Sequence, residues 1–351
     1  MMESRIYKVV AMVACLTFTA QTLADRDQTE NWTLNLYFEN DLFTQTDLGY
    51  TNGGRASWVS PDLNDYINDP ALPDWLKSVN KGLAFFNKVR DGQKRNVIFS
   101  IGHNLFTPED FTREDLIEDD RPYAGWLFTS FSYQTRNEDQ LDTLEASFGV
   151  VGPAAIGQQV QDVIHDARGV PRFEGWENQL QNEFGFIFLW EHKRKISHEY
   201  NSETRFGFDL IGHTGIAIGN VRTYLNGGGE FRLGWAIPDD FGTSALRPGG
   251  DNSTPDAVWD PRAKGWAKWG IHAFISFDSR LVGRNIFLDG NSFEDSHSVQ
   301  KKLLVTDGAV GLSFIYGGFK ISYAQIFRSK EFMLQPQSHS YGSLAFSYTF
   351  R

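Results

Sequence analysis

Asn31-Trp32-Thr33-Leu34-Asn35-Leu36-Tyr37-Phe38 and Ser343-Leu344-Ala345-Phe346-Ser347-Tyr348-Thr349-Phe350 alternate residue by residue. Trp32, Leu34, Leu36 and Phe38 fall on one side, as do Leu344, Phe346, Tyr348 and Phe350. Successive side chains of a β-strand point to opposite faces, so each stretch reads as a strand with one apolar face and one small or polar face. A strand with one side in lipid and the other in a polar lumen needs that pattern. An aromatic near the C-terminus of the last strand is a further mark of outer-membrane barrels, and here Phe350 precedes Arg351.

Working outward, the same alternation recurs at 31–39, 50–59, 95–105, 125–135, 142–151, 182–193, 203–216, 226–236, 265–278, 305–316, 318–328 and 340–350. The fold expected is an all-β, closed, antiparallel transmembrane barrel of about twelve strands. A soluble β-sandwich also alternates, and stands as the alternative. Aromatic residues make up 15% of the chain, enough to face lipid on many strands. No stretch after the first 24 residues has the roughly 18 consecutive apolar residues of a membrane-spanning helix.

Connections differ in kind. Tyr316-Gly317-Gly318-Phe319 and Asn137-Glu138-Asp139-Gln140 read as tight turns, whereas 40–49, 106–124, 152–181 and 279–304 are long. With the chain starting in the periplasm, all four long connections fall at the extracellular rim and both tight turns at the opposite one. Residues 60–94 break this rule as a long periplasmic insertion, and Trp75 to Val89 within it has helical periodicity.

Residues 1–24 read as a signal peptide. Arg5 and Lys8 precede the apolar run Val9 to Phe18, and Thr22-Leu23-Ala24 offers a cleavage site. Residues 25–351 then form the barrel domain. Cys15 is the single cysteine, so a chain lacking the leader has no disulfide and no thiolate metal site. The formal charge of −11 becomes one unit more negative without Glu3, Arg5 and Lys8, which argues against nucleic acid as a partner.

Three clusters could carry chemistry. Glu39-Asn40-Asp41 with Asp47 and Gly49-Tyr50-Thr51-Asn52-Gly53 supplies the hard oxygen donors a calcium ion takes; a polar hairpin loop has the same composition. Gly152-Pro153 ends a strand, and the helical stretch after it sets Gln161 and His165 one turn apart on a shared face. Such a histidine can act as a general base or be an ordinary loop residue. The third cluster holds His103 to Pro108, Arg113, and Asp119 to Trp126. Arg113 and Arg121 there suit a lipid phosphate, or simply salt-bridged loops. There is no Gly-x-Ser-x-Gly, phosphate-binding loop or His-Glu-x-x-His. The simplest surviving chemistry is hydrolysis by water that a histidine activates, with a metal stabilising the oxyanion.

Taken together, the clusters resemble the lipid A 3′-O-deacylase family. The resemblance rests on Glu39-Asn40-Asp41, Gly49 to Gly53, His103 to Pro108, Asp120 to Trp126, Gly149 to Pro153 with Gln161 and His165, Gly175 to Gln179, and Asp289 to Ser296. It implies a calcium-dependent outer-membrane esterase that removes the 3′-linked acyloxyacyl group of lipid A, acting as a monomer at the outer rim between barrel wall and outer leaflet. His165 matches the general base and Gln161 its neighbour. Asn40, Asp41 and Thr51 match the calcium and oxyanion site, and Arg113 stands where the family has a lysine. The resemblance also implies an acid where Pro171 stands, for which Glu174 or Asp166 is the replacement. Two other classes fit the fold: a non-catalytic barrel (porin or surface-binding protein) and an outer-membrane phospholipase.

Overall fold

A computed structural model describes residues 32–40, 50–82, 93–201, 203–243, 260–262 and 269–350, without the side chains of Tyr50 and Thr51. The expected leader, 1–24, lies outside them. Twelve antiparallel strands close on themselves in chain order: β1 Thr33–Asn40, β2 Tyr50–Val59, β3 Lys94–Phe106, β4 Ala124–Arg136, β5 Gln140–Val151, β6 Glu183–Tyr200, β7 Phe206–Ile218, β8 Arg222–Trp235, β9 Trp269–Asn285, β10 Leu304–Tyr316, β11 Phe319–Arg328 and β12 His339–Thr349. The two stretches that open the sequence reading close the barrel on each other. Leu34 faces Tyr348, Leu36 faces Phe346 and Phe38 faces Leu344. On the inner side Thr33 and Thr349 share a hydroxyl hydrogen bond of 3.0 Å. Closure leaves no strand edge unpaired, and this rules out the sandwich.

The alternation sorts the wall into two faces. Leu36, Phe38, Phe148, Phe188, Ile275, Leu312 and Phe314 lie exposed on the outside. Inward positions are buried, and an apolar cluster that includes Trp126, Phe128, Leu189 and Phe274 lies beside polar ones whose charges are mostly paired, as low-dielectric burial demands. Arg55 meets Glu145 at 3.0 Å, Arg328 clasps Asp307 with two nitrogens at 2.8 Å, and His213 lies 2.9 Å from Asp278. Arg232 is bound by Asp209 and Asp240, and Asp240 also takes Lys320 at 2.8 Å.

Two connections fill the short-turn end. Residues 60–82 fold onto the outside of β3 and β4, where α1 (Asp74–Gly82) forms; the rest of the expected helix, 83–89, lies outside the described residues. The second, between β8 and β9, was not legible beforehand: Asp240 and Arg262 enter the lumen and join the Arg232 and Lys320 cluster. Strands β6 and β9 run about seven residues beyond their expected ends, to Tyr200 and Asn285. The cause in β9 is that Arg280 lies on its inward face and pairs with Asp307, while Arg284, past a register shift, donates to the Asn220 and Gly290 carbonyls; charges read as loop in sequence, but a barrel lumen accepts those that point inward.

Candidate active site on the outer wall

Asn40 shares the parity of Leu36 and Phe38, so it faces outward, yet it is only 3% exposed. It stands in a row across four strands. Asn40 pairs with Asn52, Asn52 with Leu105 and Leu105 with Gly125. The connection after β5 folds down onto this row. Gly152 (φ 99°) starts a short 3-10 turn, Pro153–Ala155, and Ile156 in the left-handed region (φ 55°) leads into α2, Gly157–Arg168. Contact with the wall is close enough to require glycine. A Cβ on Gly125 would lie 3.1 Å from the Gly157 Cα, and one on Gly157 would lie 2.9 Å from the Trp176 ring. His103, on the outward face of β3, donates from Nε2 to the Ala155 carbonyl at 2.7 Å and straps the turn to the wall. Leu105, Tyr123, Phe173 and Trp176 pack beneath the helix. Burial pushes the Tyr123 phenol up to about 12, so it stays neutral.

The buried positions of α2 are Gly157, Gln161 and His165, spaced by one turn, so a single stripe faces the wall. Gln161 is 2% and His165 3% exposed. The Trp176 indole donates to Gln161 Oε1 at 2.7 Å. That contact fixes which end of the amide is oxygen, and the Gln161 Nε2 has no hydrogen-bond partner among the described residues. The helix ends on Gly169 (φ 67°), whose amide and that of Val170 cap the His165 and Asp166 carbonyls. The chain then doubles back and brings the Pro171 carbonyl 2.5 Å from His165 Nδ1. A carbonyl only accepts, so Nδ1 donates to it, and in the neutral ring the lone pair lies on Nε2. Phe173 steadies the ring edge-on at 5.4 Å.

Thus the backbone of Pro171 orients the histidine at the very position where an acidic side chain was expected. The partner of His165 Nδ1 is this carbonyl and not either expected replacement acid. Asp166 is exposed and clasped by Arg172. Glu174 is exposed, and its amide is tied to the Phe111 carbonyl at 3.0 Å. Asp41 lies outside the described residues. Thr51 falls at the irregularity in register between Tyr50 and Asn52, and its side chain is outside them too. Among the described residues no group of three or more His, Cys, Asp or Glu could hold a metal. The donor chemistry of the Asn40 row, amide and backbone oxygen without thiolate, is that of a hard cation.

The two arginines part company. Arg113 is on the surface of this lobe, its guanidinium forked onto Asp115 at 2.6 and 3.0 Å. Arg121 is fully buried toward the lumen, 2.6 Å from Glu331 and stacked near Phe106 and Phe332. Burial would raise the Glu331 carboxyl, but the Arg121 and Arg328 guanidiniums outweigh it and hold the acid well below its usual range. Sequence reasoning gave no role to Trp176, Pro171 or His103. Trp176 and His103 sat in the quoted motifs; a backbone carbonyl leaves no signal in a sequence.

Comparison with known proteins follows this geometry. The solved structure described as LpxR from Salmonella typhimurium is similar with a TM-score of 0.67 at 18% identity, covering 91% of this chain and 100% of that one. The β domain of the Bordetella autotransporter BrkA gives 0.42 at 7% identity, over 92% and 99% of the two chains, a likeness too loose to argue from. No curated protein matches in sequence. The family model described as outer membrane protein LpxR matches residues 9–350, nearly the whole chain, and the protein therefore belongs to the LpxR family of outer-membrane proteins.

Proposed function

We propose that the protein is a lipid A deacylase that hydrolyses the 3′-linked acyloxyacyl ester in the outer leaflet. The observation that carries this reading is His165: its tautomer is fixed by the Pro171 carbonyl, its Nε2 is free to accept a proton, and it sits beside Gln161 on the lipid side of the wall. In the proposed reaction His165 Nε2 takes a proton from water as the oxygen attacks the ester carbonyl. The tetrahedral intermediate collapses, and His165 returns the proton to the departing sugar oxygen. The Gln161 Nε2–H, unpaired among the described residues, donates to the attacking water or to the carbonyl oxygen. Calcium, held by Asp41, Thr51 and Glu174 near Asn40, would supply further stabilisation of the oxyanion. Arg113 is proposed to meet a lipid phosphate, exchanging Asp115 for it; Arg121 was proposed for the same task, but its burial against Glu331 supports a structural one.

The porin alternative is less favoured, because paired charges line the lumen and the connection between β8 and β9 enters it, with Asp240 bound to Arg232 and Lys320. A phospholipase would use the same site, so the test must identify the product. Lipid A is analysed by mass spectrometry from cells carrying wild type or His165→Ala, with calcium or with a chelator. Wild type with calcium should lose the 3′ acyloxyacyl group. Loss of a positioned base should slow the reaction about 10²–10⁴-fold. An unchanged lipid A profile in wild type under calcium, or equal loss in both strains, would overturn the proposal.

A further inference from the structure

The 60–82 connection places a small helix against the outer surface of the barrel at the short-turn end. Val97 and Tyr133 are outward residues of β3 and β4, and both are covered. Val97 packs with Leu63, Tyr66, Leu72 and Leu76. Tyr133 donates to Asn80 Oδ1 at 2.5 Å and meets the Tyr66 ring at 5.2 Å. Asn80 in turn donates to the Tyr66 carbonyl at 2.5 Å. The inner face of α1, Leu76 and Asn80, is thereby used up.

Its other face is not. Trp75 is 59% and Val79 50% exposed, one turn apart and therefore side by side. Trp75 stands edge-on to the outward Phe131 at 6.4 Å. Phe131 continues to Phe99 at 5.2 Å and Phe99 to Trp58 at 5.9 Å, a row set by register across β2, β3 and β4. Elsewhere at this end the strands show their own outward aromatics, Trp269, Tyr316, Phe319 and Tyr348, adjacent in register. Such rings mark the boundary between hydrocarbon and headgroups. On β3 and β4 the connection hides that level of the wall, and Trp75 replaces it farther out.

We infer that α1 is an interfacial anchor whose Trp75 and Val79 insert among the glycerophospholipids of the periplasmic leaflet, with Lys81 at the headgroups. Continuity of Trp75 with the lipid-facing wall identifies the occupant: an apolar face joined to a surface already in lipid is covered by the same lipid. The inference rests on the barrel alone and stands whether or not the protein hydrolyses lipid A.

A bimane probe tests it. The probe is placed on Val79→Cys, and separately on Asn68→Cys, which is exposed on the same connection. Both are made in a chain with Cys15→Ser, since Cys15 is the single cysteine. The barrels go into nanodiscs of phosphatidylethanolamine and phosphatidylglycerol, and heat-modifiable gel mobility verifies folding. The probe at 79 should emit to the blue of the probe at 68, lose intensity with lipids brominated near the glycerol, and resist aqueous iodide. Equal iodide quenching at both positions, with no effect of bromine, would overturn the inference. So would shielding from both quenchers that vanishes when each disc holds a single barrel, which would mean that a second copy covers the face.

Discussion

The substitution Trp176→Phe removes one hydrogen bond. The smaller phenyl ring keeps much of the apolar contact on the Tyr123 side, where Trp176 packs at 5.1 Å from the Tyr123 centroid, but the indole N–H is gone. Gln161 Oε1 then loses the donor at 2.7 Å, in a site that leaves its amide 2% exposed. A net hydrogen bond is worth about 0.5–1.5 kcal/mol, and a buried acceptor left bare costs about 1–3 kcal/mol. Part of that cost is avoided if the amide turns over, which presents oxygen to the substrate side instead of the N–H. At roughly 1.4 kcal/mol per factor of ten, kcat for deacylation should fall about tenfold, with KM little changed because most of the apolar packing is kept. Gln161→Ala, which removes the donor itself, should lose roughly 10²–10³-fold. The assay is single-turnover release of the 3′ acyl group in lipid A-containing vesicles, for the two single variants and the double. Adding Trp176→Phe to Gln161→Ala should cost nothing more, since the tryptophan acts through the glutamine. A full additional tenfold loss in the double variant would show that Trp176 acts by packing, and an unchanged kcat in Trp176→Phe would show that the amide needs no fixing.

Gly157→Val should abolish deacylation while the barrel still inserts and shows heat-modifiable mobility, because a Cβ 2.9 Å from the Trp176 ring and 3.1 Å from Leu105 lifts α2 off the wall; retention of half the activity would mean that the helix need not seat closely. Acid should weaken the outer end of the lumen. Glu331 has an ordinary value of 4.5 and is held lower when folded, so its contribution is complete above about 4.5 and is lost as pH falls through the depressed folded value. Glu331→Gln, which strands the buried Arg121, should cost about 3–5 kcal/mol at pH 7 by urea unfolding and flatten the acid dependence; a variant as acid-sensitive as wild type would assign that sensitivity to another carboxylate.

Strand positions were legible because the lipid side of a barrel is a strict filter: every second residue must be apolar, and Leu34, Leu36 and Phe38 satisfy it without help from distant contacts. The lumen is not filtered in that way. Arg280 and Asp240 are chosen by partners from other strands, so the extension of β9 and the luminal segment between β8 and β9 had no local signature. The site divides similarly. That Gln161 and His165 share one helix face could be read from their spacing. Pro171 read as a missing acid, because a sequence reports side chains and its contribution is a carbonyl. The strap from His103 to Ala155 depends on how a connection folds back over the wall, which no periodicity encodes.

If His165 is the base proposed above, the seat of α2 on the outside of the wall sets how this protein meets its substrate. A lipid reaching His165 arrives by sideways travel within the leaflet, so the search is two-dimensional and the governing quantity is molecules per unit area. Adding more vesicles of fixed composition leaves the encounter frequency unchanged once every barrel is inserted, whereas thinning the substrate with inert lipid lowers it in proportion. The leaflet also aligns its occupants, sugar outward and chains inward, so each ester comes to the helix at one depth and nearly one attitude. Part of the orientational entropy that an enzyme in free solution must overcome is thus removed by the membrane before contact.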